Sequence, residues 1–325
     1  MSRPLVVVTD SPFPDLNPAR ETMSQIDAEV VLLPGCSPDA IGQAATNADA
    51  VLVTYAKIGR EVIQQMDRCR IISRFGIGVD NVDISAATGA GIVVTRVPDY
   101  CVEEVADHAV ALLLALARKI PLANSLVQAG SWDLSATGPI HRLRGSTLGL
   151  LGFGRIPQLV APRAKAFGMH VIATDPYVPP EVKSRAQAEF VSSSELLRRS
   201  DFLSIHSPLV PETLRLFNAD AFRQMKRTAY LINTARGAIV DDQALSEALD
   251  HGTIAGAALD VLPEEPPRNS PLLGRPNVIV TPHMSFYSAE SLVDLQTRAA
   301  QEVVRVIRGE DPLNPVNPEV LKSKE

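Results

Sequence analysis

The chain has 325 residues, of which 21% are charged, and a formal net charge of −6. This length predicts two domains rather than a single core, and the acidic balance argues against broad binding to nucleic acids or anionic membranes. Cys36, Cys69 and Cys101 are odd in number and far apart, which favours reduced thiols in a cytoplasmic protein. We expect neither a signal peptide nor a membrane span, because the amino-terminal apolar run and the longest one, Ala109–Ala117, are both too short.

The first hundred residues alternate short β-like runs with polar helical segments. The β-like runs are Leu5–Thr9, Val30–Leu33, Ala50–Val53, Ile71–Ser73 and Ile92–Val94. The helical segments between them are Asp39–Ala48, Gly59–Met66 and Ile84–Thr88. Alternation of this kind predicts βαβ units and a parallel sheet.

Residues 101–130 are predicted to be helical. Glu103, Glu104 and Asp107 stand early in this segment, where acidic residues suit the positive end of a helix. From Val105 to Leu116 the segment is apolar nearly all round, which indicates burial on more than one side. A core helix and a subunit interface are both open at this point.

A second series of strands and helices begins at Thr147. Its strands are Thr147–Leu151, His170–Thr174, Phe202–Ile205, Ala229–Ile232, Ala255–Leu259 and Val278–Val280. This series matches a complete dinucleotide-binding fold. The long helical pattern Ser288–Arg308 then predicts a return to the first domain. We therefore expect a discontinuous domain of residues 1–100 with 287–325, and a nucleotide-binding domain of residues 101–286.

The first strand–turn–helix of that second series carries the pattern of a dinucleotide site. Gly152 and Gly154 let the backbone approach a pyrophosphate closely, and the N–H groups of Arg155 and Ile156 at the helix start face its charge. Asp175 follows the next strand, where a carboxylate takes the ribose hydroxyls. Glycines, helix and acid in this order predict nucleotide binding much more strongly than glycines alone.

Two prolines depart from this pattern. Pro157 stands where the fingerprint has its third glycine, and Pro162 follows within the same helical segment. Proline is tolerated in a first helical turn, where its missing N–H has no partner. Pro162 is expected to bend the helix or to force a reset, so the sequence predicts a distorted helix.

Polar residues at the ends of the later strands are candidates for chemistry. Arg236, Asp260, Glu265 and His283 all follow strands whose carboxyl ends share one sheet edge. A guanidinium binds a carboxylate with two parallel hydrogen bonds, and a histidine gives or takes a proton near neutral pH. A carboxylate beside that histidine orients the imidazole and favours its charged form. Arg236, His283 and Glu265 are therefore predicted to serve hydride transfer involving a 2-oxo acid.

Each of these residues has a plainer interpretation when it is taken singly. An arginine at a strand end is usually a surface group, a loop glutamate is usually solvated, and a lone histidine is usually structural. The hypothesis depends on their joint occurrence after a nucleotide-binding turn. His206 faces the same edge and is expected to shape the nucleotide pocket. The remaining histidines are interpreted as structural: His108, His141, His170 and His251.

Several motifs occur in an order that is shared with a known family. They are Arg74–Asn81, Gly152–Ile156, His206–Leu209, Asn233–Gly237, Asp260-Val261 with Glu265-Pro266, and Thr281–His283. Over essentially the whole chain they resemble the D-isomer-specific 2-hydroxyacid dehydrogenase family, which includes glyoxylate/hydroxypyruvate reductases, phosphoglycerate dehydrogenases and the C-terminal-binding-protein corepressors. The resemblance implies an α/β protein with two Rossmann-like domains and parallel sheets, the smaller domain being discontinuous and flavodoxin-like.

The resemblance also implies roles for individual residues. Arg236, Glu265 and His283 match the catalytic set, and Ile77 and Gly78 match backbone donors to the substrate carboxylate. The implied contacts to the cofactor NAD are Gly152, Gly154, Arg155, Ile156, Asp175, His206, Pro208, Thr213, Thr234, Ala235 and Asp260. No metal is implied. The helix matching Val105–Arg118 lies in a dimer interface in the family, so we expect a homodimer formed through the 102–130 region.

Departures from the family narrow the prediction. No arginine follows Asp175 directly, so a 2′-phosphate would meet repulsion and NAD(H) is favoured over NADP(H). Val53–Lys57 lacks the arginine of phosphoglycerate dehydrogenases, which makes a phosphorylated substrate less favoured, although Lys57 keeps it open. The leading hypothesis is an NAD-dependent oxidoreductase acting on a small 2-hydroxy or 2-oxo acid. The alternatives are an NAD(H)-sensing corepressor-like binding protein and a dehydrogenase whose cofactor binding is weakened by Pro157 and Pro162.

Overall fold

The computed structural model describes residues 3–35 and 37–322. Cys36, one of the predicted free thiols, lies outside the described residues. Two compact units are present: Met1–Tyr100 with Ser288–Glu325, and Cys101–Tyr287. Both are α/β with a parallel sheet, which confirms the predicted fold class.

The first unit contains a five-stranded parallel sheet. Its strands are β1 Leu5–Val8, β2 Glu29–Leu32, β3 Ala50–Val53, β4 Ile71–Arg74 and β5 Val93–Thr95. They run in the order β2-β1-β3-β4-β5, which is the flavodoxin-like arrangement. β3 is buried along its whole length because helices cover both faces of such a sheet, and its uninterrupted apolar sequence reflects this.

Within residues 3–35, 37–100 and 288–322, six α-helices belong to this unit. They are α1 Asn17–Met23, α2 Pro38–Ala45, α3 Arg60–Ile63, α4 Ile84–Gly89, α12 Ala289–Ile307 and α13 Glu319–Lys322. α12 packs on α1 and β4, so the carboxyl-terminal helix contributes to the core of the amino-terminal sheet. α1 was not predicted, because it is short and buries only Ala19, Thr22 and Met23.

The second unit contains a seven-stranded parallel sheet. Its strands are β6 Thr147–Leu151, β7 His170–Thr174, β8 Glu189–Phe190, β9 Phe202–Ile205, β10 Tyr230–Asn233, β11 Gly256–Leu259 and β12 Val278–Val280. They run in the order β12-β11-β10-β9-β6-β7-β8. The order reverses between β6 and β9, and ligands bind at such a switch point in open α/β sheets. β8 was not predicted because a strand of two residues has no periodicity to detect.

The helices of this unit flank the sheet. They are α5 Val102–Arg118, α6 Ile120–Gln128, α7 Arg155–Ala166, α8 Pro180–Arg185, α9 Ser193–Arg199, α10 Ala219–Gln224 and α11 Asp242–Asp250. The predicted helix over 101–130 is divided at Lys119, which adopts a left-handed conformation with φ of 53°. Among the described residues no single helix is long and apolar enough to cross a membrane. α5 and α6 together have the required length and hydropathy, but the two helices are bent by 57°.

α7 runs without interruption through Pro162, so the predicted reset of this helix is wrong. Proline at this position deprives the carbonyl of Gln158 of its intrahelical donor. Gln158 is exposed, and water can satisfy that carbonyl. Pro157 stands at the third helical position, where an N–H would have no intrahelical acceptor in any case.

Candidate active site

The carboxyl ends of the parallel strands in the second unit meet at one sheet edge. The segments that follow them carry nearly all the predicted functional residues: Gly152–Gly154 after β6, Asp175 after β7, His206–Leu209 after β9, Thr234–Gly237 after β10, Asp260–Glu265 after β11 and Thr281–His283 after β12. The parallel topology explains why residues far apart in the chain gather there.

The two glycines before α7 have different reasons to be glycine. Gly152 has φ of +90°, and a Cβ there would lie 2.9 Å from the backbone oxygen of His206. The protein itself therefore excludes a side chain at Gly152. Gly154 has φ of −76°, and a Cβ there would meet no protein atom within 4 Å. This open space lies at the start of α7. The N–H of Ile156, the second residue of the helix, is expected to have no intrahelical partner. Open space and a helix-start N–H together fit the close approach of a pyrophosphate.

The Asp175 carboxylate is tied to the glycine turn. Its Oδ2 accepts a hydrogen bond from the N–H of Phe153 at 2.8 Å, and its Oδ1 accepts one from the N–H of Tyr177 at 2.8 Å. Asp175 is half-buried. Because each carboxylate oxygen has a second acceptor position, the side chain can still receive two ribose hydroxyls.

Two buried hydroxyls at the ends of β9 and β10 have no hydrogen-bond partner in the part of the chain that the structure describes. They are Ser207 Oγ and Thr234 Oγ1. An unsatisfied buried polar group costs about 1–3 kcal/mol, so a pair of them on adjacent strands fits a bound polar ligand. Ser207 was not predicted individually, although it lies within the His206–Leu209 motif.

His206 and Thr213 shape the loop after β9. Burial lowers the pKa of His206 to about 4, so its imidazole is neutral, and its Nε2 lies 2.9 Å from Ser204 Oγ. Thr213 Oγ1 donates to the backbone oxygen of Pro208 at 2.7 Å and accepts from the N–H of Val210 at 2.9 Å. The hydroxyl of Thr213 thus holds the loop in shape.

The loops after β10 and β11 are in direct contact. A Cβ at Gly237 would lie 2.0 Å from the carbonyl carbon of Leu262, so only glycine permits this approach. Arg236 precedes Gly237 and donates from one guanidinium nitrogen to the backbone oxygen of Ala235 at 2.7 Å. This close approach brings the positive charge of Arg236 near Glu265.

Glu265 pairs with His283. Its Oε2 lies 2.6 Å from His283 Nδ1, and its Oε1 accepts from the N–H of Leu262 at 2.9 Å. Burial raises the pKa of Glu265, but the hydrogen bond with His283 and the charges of His283 and Arg236 outweigh it, and the pKa is lowered overall. The ionised carboxylate can only accept, so Nδ1 of His283 carries the proton.

Asp260 is buried and holds the loop that carries His283. Its Oδ1 accepts from the hydroxyl of Thr281 at 2.5 Å and from the N–H of Met284 at 2.9 Å, while its Oδ2 accepts from the N–H of Ser285 at 2.9 Å. Oδ2 keeps one further acceptor position, which fits the implied contact of Asp260 with NAD.

The predicted substrate contacts Ile77 and Gly78 lie in the other unit, directly beyond β4. Their N–H groups have no acceptor among residues 3–35 and 37–322, and both residues are half-buried. Backbone donors of this kind can bind an anion. In the same described ranges no group of three or more His, Cys, Asp or Glu side chains is arranged to hold a metal ion.

The glycine turn, the acid that follows β7 and the sheet order together define a dinucleotide-binding fold. Residues 110–285 match the family model described as "D-isomer specific 2-hydroxyacid dehydrogenase, NAD binding domain". A glyoxylate reductase from Thermococcus litoralis is 41% identical over 279 residues, which cover 84% of this chain and 84% of that protein. The chain belongs to the D-isomer specific 2-hydroxyacid dehydrogenase family, and its nucleotide is NAD.

Longer relatives and solved structures agree with this assignment. A D-3-phosphoglycerate dehydrogenase from Methanocaldococcus jannaschii is 39% identical over 314 residues, and these cover 96% of this chain but only 59% of that protein. The crystal structure of D-lactate dehydrogenase from Aquifex aeolicus complexed with NAD and lactic acid superposes with a TM-score of 0.86 at 28% identity, covering 98% of each chain.

Proposed function

We propose that this protein is an NAD-dependent oxidoreductase that transfers a hydride between NAD(H) and a small 2-hydroxy or 2-oxo acid. The observation that carries the proposal is the 2.6 Å pair between His283 Nδ1 and Glu265 Oε2, beside the loop of Arg236. Glyoxylate and hydroxypyruvate are the first candidate substrates, because a glyoxylate reductase is among the similar proteins and matches this chain over 84% of both lengths.

NAD supplies the hydride acceptor or, when reduced, the hydride donor. Arg236 binds the substrate carboxylate through its guanidinium, whose planar donors match two carboxylate oxygens. His283 gives a proton from Nε2 to the carbonyl oxygen during reduction, or removes one from the hydroxyl during oxidation. Glu265 accepts a hydrogen bond from the Nδ1–H of His283, and this contact fixes the ring orientation and stabilises the imidazolium.

The cofactor contacts keep the roles that the sequence predicts for them. Asp175 accepts the hydroxyls of the adenosine ribose, and the N–H of Ile156 faces the pyrophosphate. Asp175 also repels a 2′-phosphate, so NAD(H) is preferred over NADP(H). Higher kcat/KM with NADPH than with NADH would contradict this preference. The orphaned hydroxyls of Ser207 and Thr234 add donors to the same site.

A second copy of the chain is the proposed partner, bound through the 102–130 region. Ile120 and Val127 are 57% and 46% exposed, and Trp132 and Leu134 beyond α6 are 92% and 88% exposed. Val127, Trp132 and Leu134 line a groove of about 810 Å³ with Ile140. Contiguous exposed apolar side chains of this kind mark a protein-binding surface. A cytoplasmic location is proposed as well, because Cys69 and Cys101 are buried thiols that form no disulfide in the part of the chain that the structure describes.

The deciding experiment measures NADH oxidation with a panel of 2-oxo acids. The panel contains glyoxylate, hydroxypyruvate, pyruvate, a branched 2-oxo acid and 3-phosphohydroxypyruvate. We expect the highest kcat/KM with a small unphosphorylated acid. Tight NADH binding without turnover of any acid would instead favour the corepressor-like alternative. Weak NADH binding in a titration would favour a dehydrogenase impaired by Pro157 and Pro162.

A further inference from the structure

A histidine of α5 contacts the loop that carries His283. Nε2 of His108 lies 3.2 Å from Thr281 Oγ1 and 3.6 Å from Oδ1 of Asp260. The His108 side chain is 19% exposed and the Asp260 side chain is fully buried. This histidine does not take part in the proposed proton transfer, and its sequence context predicts only a structural role.

The direction of the hydrogen bonds can be deduced from the chemistry of the three groups. Thr281 has a single O–H, and it lies 2.5 Å from Oδ1 of Asp260. Oδ1 of Asp260 also accepts from the N–H of Met284, so it acts as an acceptor and the hydroxyl of Thr281 donates to it. The remaining bond to Thr281 Oγ1 must then come from His108, whose proton is on Nε2. The result is a hydrogen-bond chain in which His108 donates to Thr281 and Thr281 donates to Asp260.

These hydrogen bonds end at the backbone around His283, the proposed acid–base residue. Asp260 receives the N–H of His283 on its main-chain oxygen at 2.8 Å, and its carboxylate receives the N–H groups of Met284 and Ser285. His283 itself has φ of 51°, a left-handed backbone conformation that residues other than glycine rarely adopt. Such a conformation persists only when the surrounding contacts over-determine it.

We propose that His108 is a positioning residue for hydride transfer. It acts through Thr281 and Asp260 to hold His283 in its left-handed backbone conformation, with Nε2 aimed at the substrate oxygen. The inference rests on the proposed dehydrogenase function. It also links α5, whose helical region is the proposed dimer interface, to the reacting end of the sheet.

Substitutions with matched controls test this hydrogen-bond chain by steady-state kinetics. His108→Leu removes one hydrogen bond at similar volume, and we expect it to lower kcat about tenfold, the effect of one lost hydrogen bond to a buried group. Thr281→Val removes the hydrogen bond from His108 together with the one to Asp260, and we expect it to lower kcat by at least about tenfold. The KM for the 2-oxo acid and the Kd for NADH should stay within about twofold. His108→Gln and Thr281→Ser keep a donor at each place and should restore most of kcat. His251→Leu, at an exposed histidine after α11, is the matched control.

A double-mutant cycle tests whether the residues act in series. If His108 works through Thr281, the His108→Leu/Thr281→Val double variant will have the kcat of Thr281→Val alone. Multiplied losses would overturn the proposal. An unchanged kcat in His108→Leu, accompanied only by a lower Tm, would overturn it as well, because it would show a purely structural role.

The tautomer of His108 provides a readout that does not need turnover. Long-range ¹H–¹⁵N spectra of the wild-type protein should show the proton of His108 on Nε2 and that of His283 on Nδ1. The proton of His108 on Nδ1 would overturn this hydrogen-bond chain. If the wild-type protein reduces none of the 2-oxo acids, the proposed function fails, while the tautomers and the shift of the His283 signals in Thr281→Val still decide whether His108 holds this loop.

Discussion

Nδ1 of His283 lies 2.6 Å from Oε2 of Glu265, although 17 residues separate the two side chains and they belong to loops after different strands. This contact gives the imidazole of His283, the proposed proton donor and acceptor, both its orientation and its counter-charge. It is the central feature of the proposed mechanism and the first target for mutation.

Replacing either member of this pair should reduce turnover far more than cofactor binding. His283→Ala removes the proton donor, and we expect kcat to fall by about 10²–10⁴-fold, the usual contribution of a general acid or base. Glu265→Gln keeps the shape but removes the charge, and it should lower kcat less than His283→Ala does. NADH binding, measured by fluorescence titration, should be retained in both. An unchanged kcat in His283→Ala would refute the assignment.

The two glycines before α7 should respond differently to alanine. Gly152→Ala places a Cβ against the backbone of His206 and forces a left-handed conformation on alanine, which costs roughly 1–2 kcal/mol from the conformation alone. The free energy of unfolding should therefore fall. Gly154→Ala meets no protein atom within 4 Å, so its stability should stay unchanged while its affinity for NADH falls. Equal NADH affinity in Gly154→Ala and wild type would argue against a pyrophosphate at this turn.

Charged substitutions in the exposed apolar surface beyond α6 should break the proposed dimer. Trp132→Asp and Leu134→Asp introduce charge at side chains that are 92% and 88% exposed. We expect each variant to have the mass of one chain by light scattering or sedimentation, whereas the wild type should have the mass of two chains. Leu313→Asp, at a 67% exposed leucine of the other unit, is the control and should leave the mass at two chains. A wild-type protein with the mass of one chain would contradict the interface.

Asp242 should make the protein less stable at neutral pH than at acid pH. Burial raises its pKa from 3.8 to about 6, with a smaller contribution from the charge of Asp241, and its Oδ1 is buried without a partner among the described residues. Between pH 3.8 and about 6 the unfolded chain releases this proton while the folded protein keeps it, so stability falls as the pH rises through this range.

Asp242→Asn removes the titration and should stabilise the protein by up to about 1 kcal/mol at pH 7.5, allowing for solvent screening of a half-buried group. Below about pH 4 the variant and the wild type should be equally stable. Urea unfolding at both pH values provides the measurement, with Asp241→Ala as a contrasting variant that loses the amino-terminal cap of α11. A stability difference that does not change with pH would contradict the raised pKa.

Local sequence patterns were enough to predict most strands of both sheets. β6, β7, β9 and β12 begin and end at the predicted residues, because short apolar runs bounded by glycine and polar residues are unambiguous inside a covered parallel sheet. The elements that were missed, α1 and β8, are short and bury few side chains, so they have little periodicity. Their conformation depends on the elements against which they pack.

The consequences of single backbone positions could not be predicted in the same way. Lys119 ends α5 in a left-handed conformation without being glycine or asparagine, the residues that normally mark such an end. Pro162 was expected to bend or to reset α7. The helix is continuous through it, and Gln158, whose carbonyl loses its intrahelical donor, is an exposed residue. Whether a residue is exposed on its helix is a property of packing, and a proline is tolerated or not according to that packing.

The sequence by itself determined the fold class, the nucleotide-binding turn and the residue types of the candidate site, because these follow from hydrophobic periodicity and from glycines and acids at fixed spacing. The sequence also predicted Glu265 as the carboxylate beside His283. Only the tertiary structure decided the 2.6 Å geometry of that pair, that Gly237 must be glycine, and that His108 lies against Thr281. Contacts of this kind join residues that are distant in the chain. Their geometry depends on sheet order and on the packing of several loops at once, which no local pattern encodes.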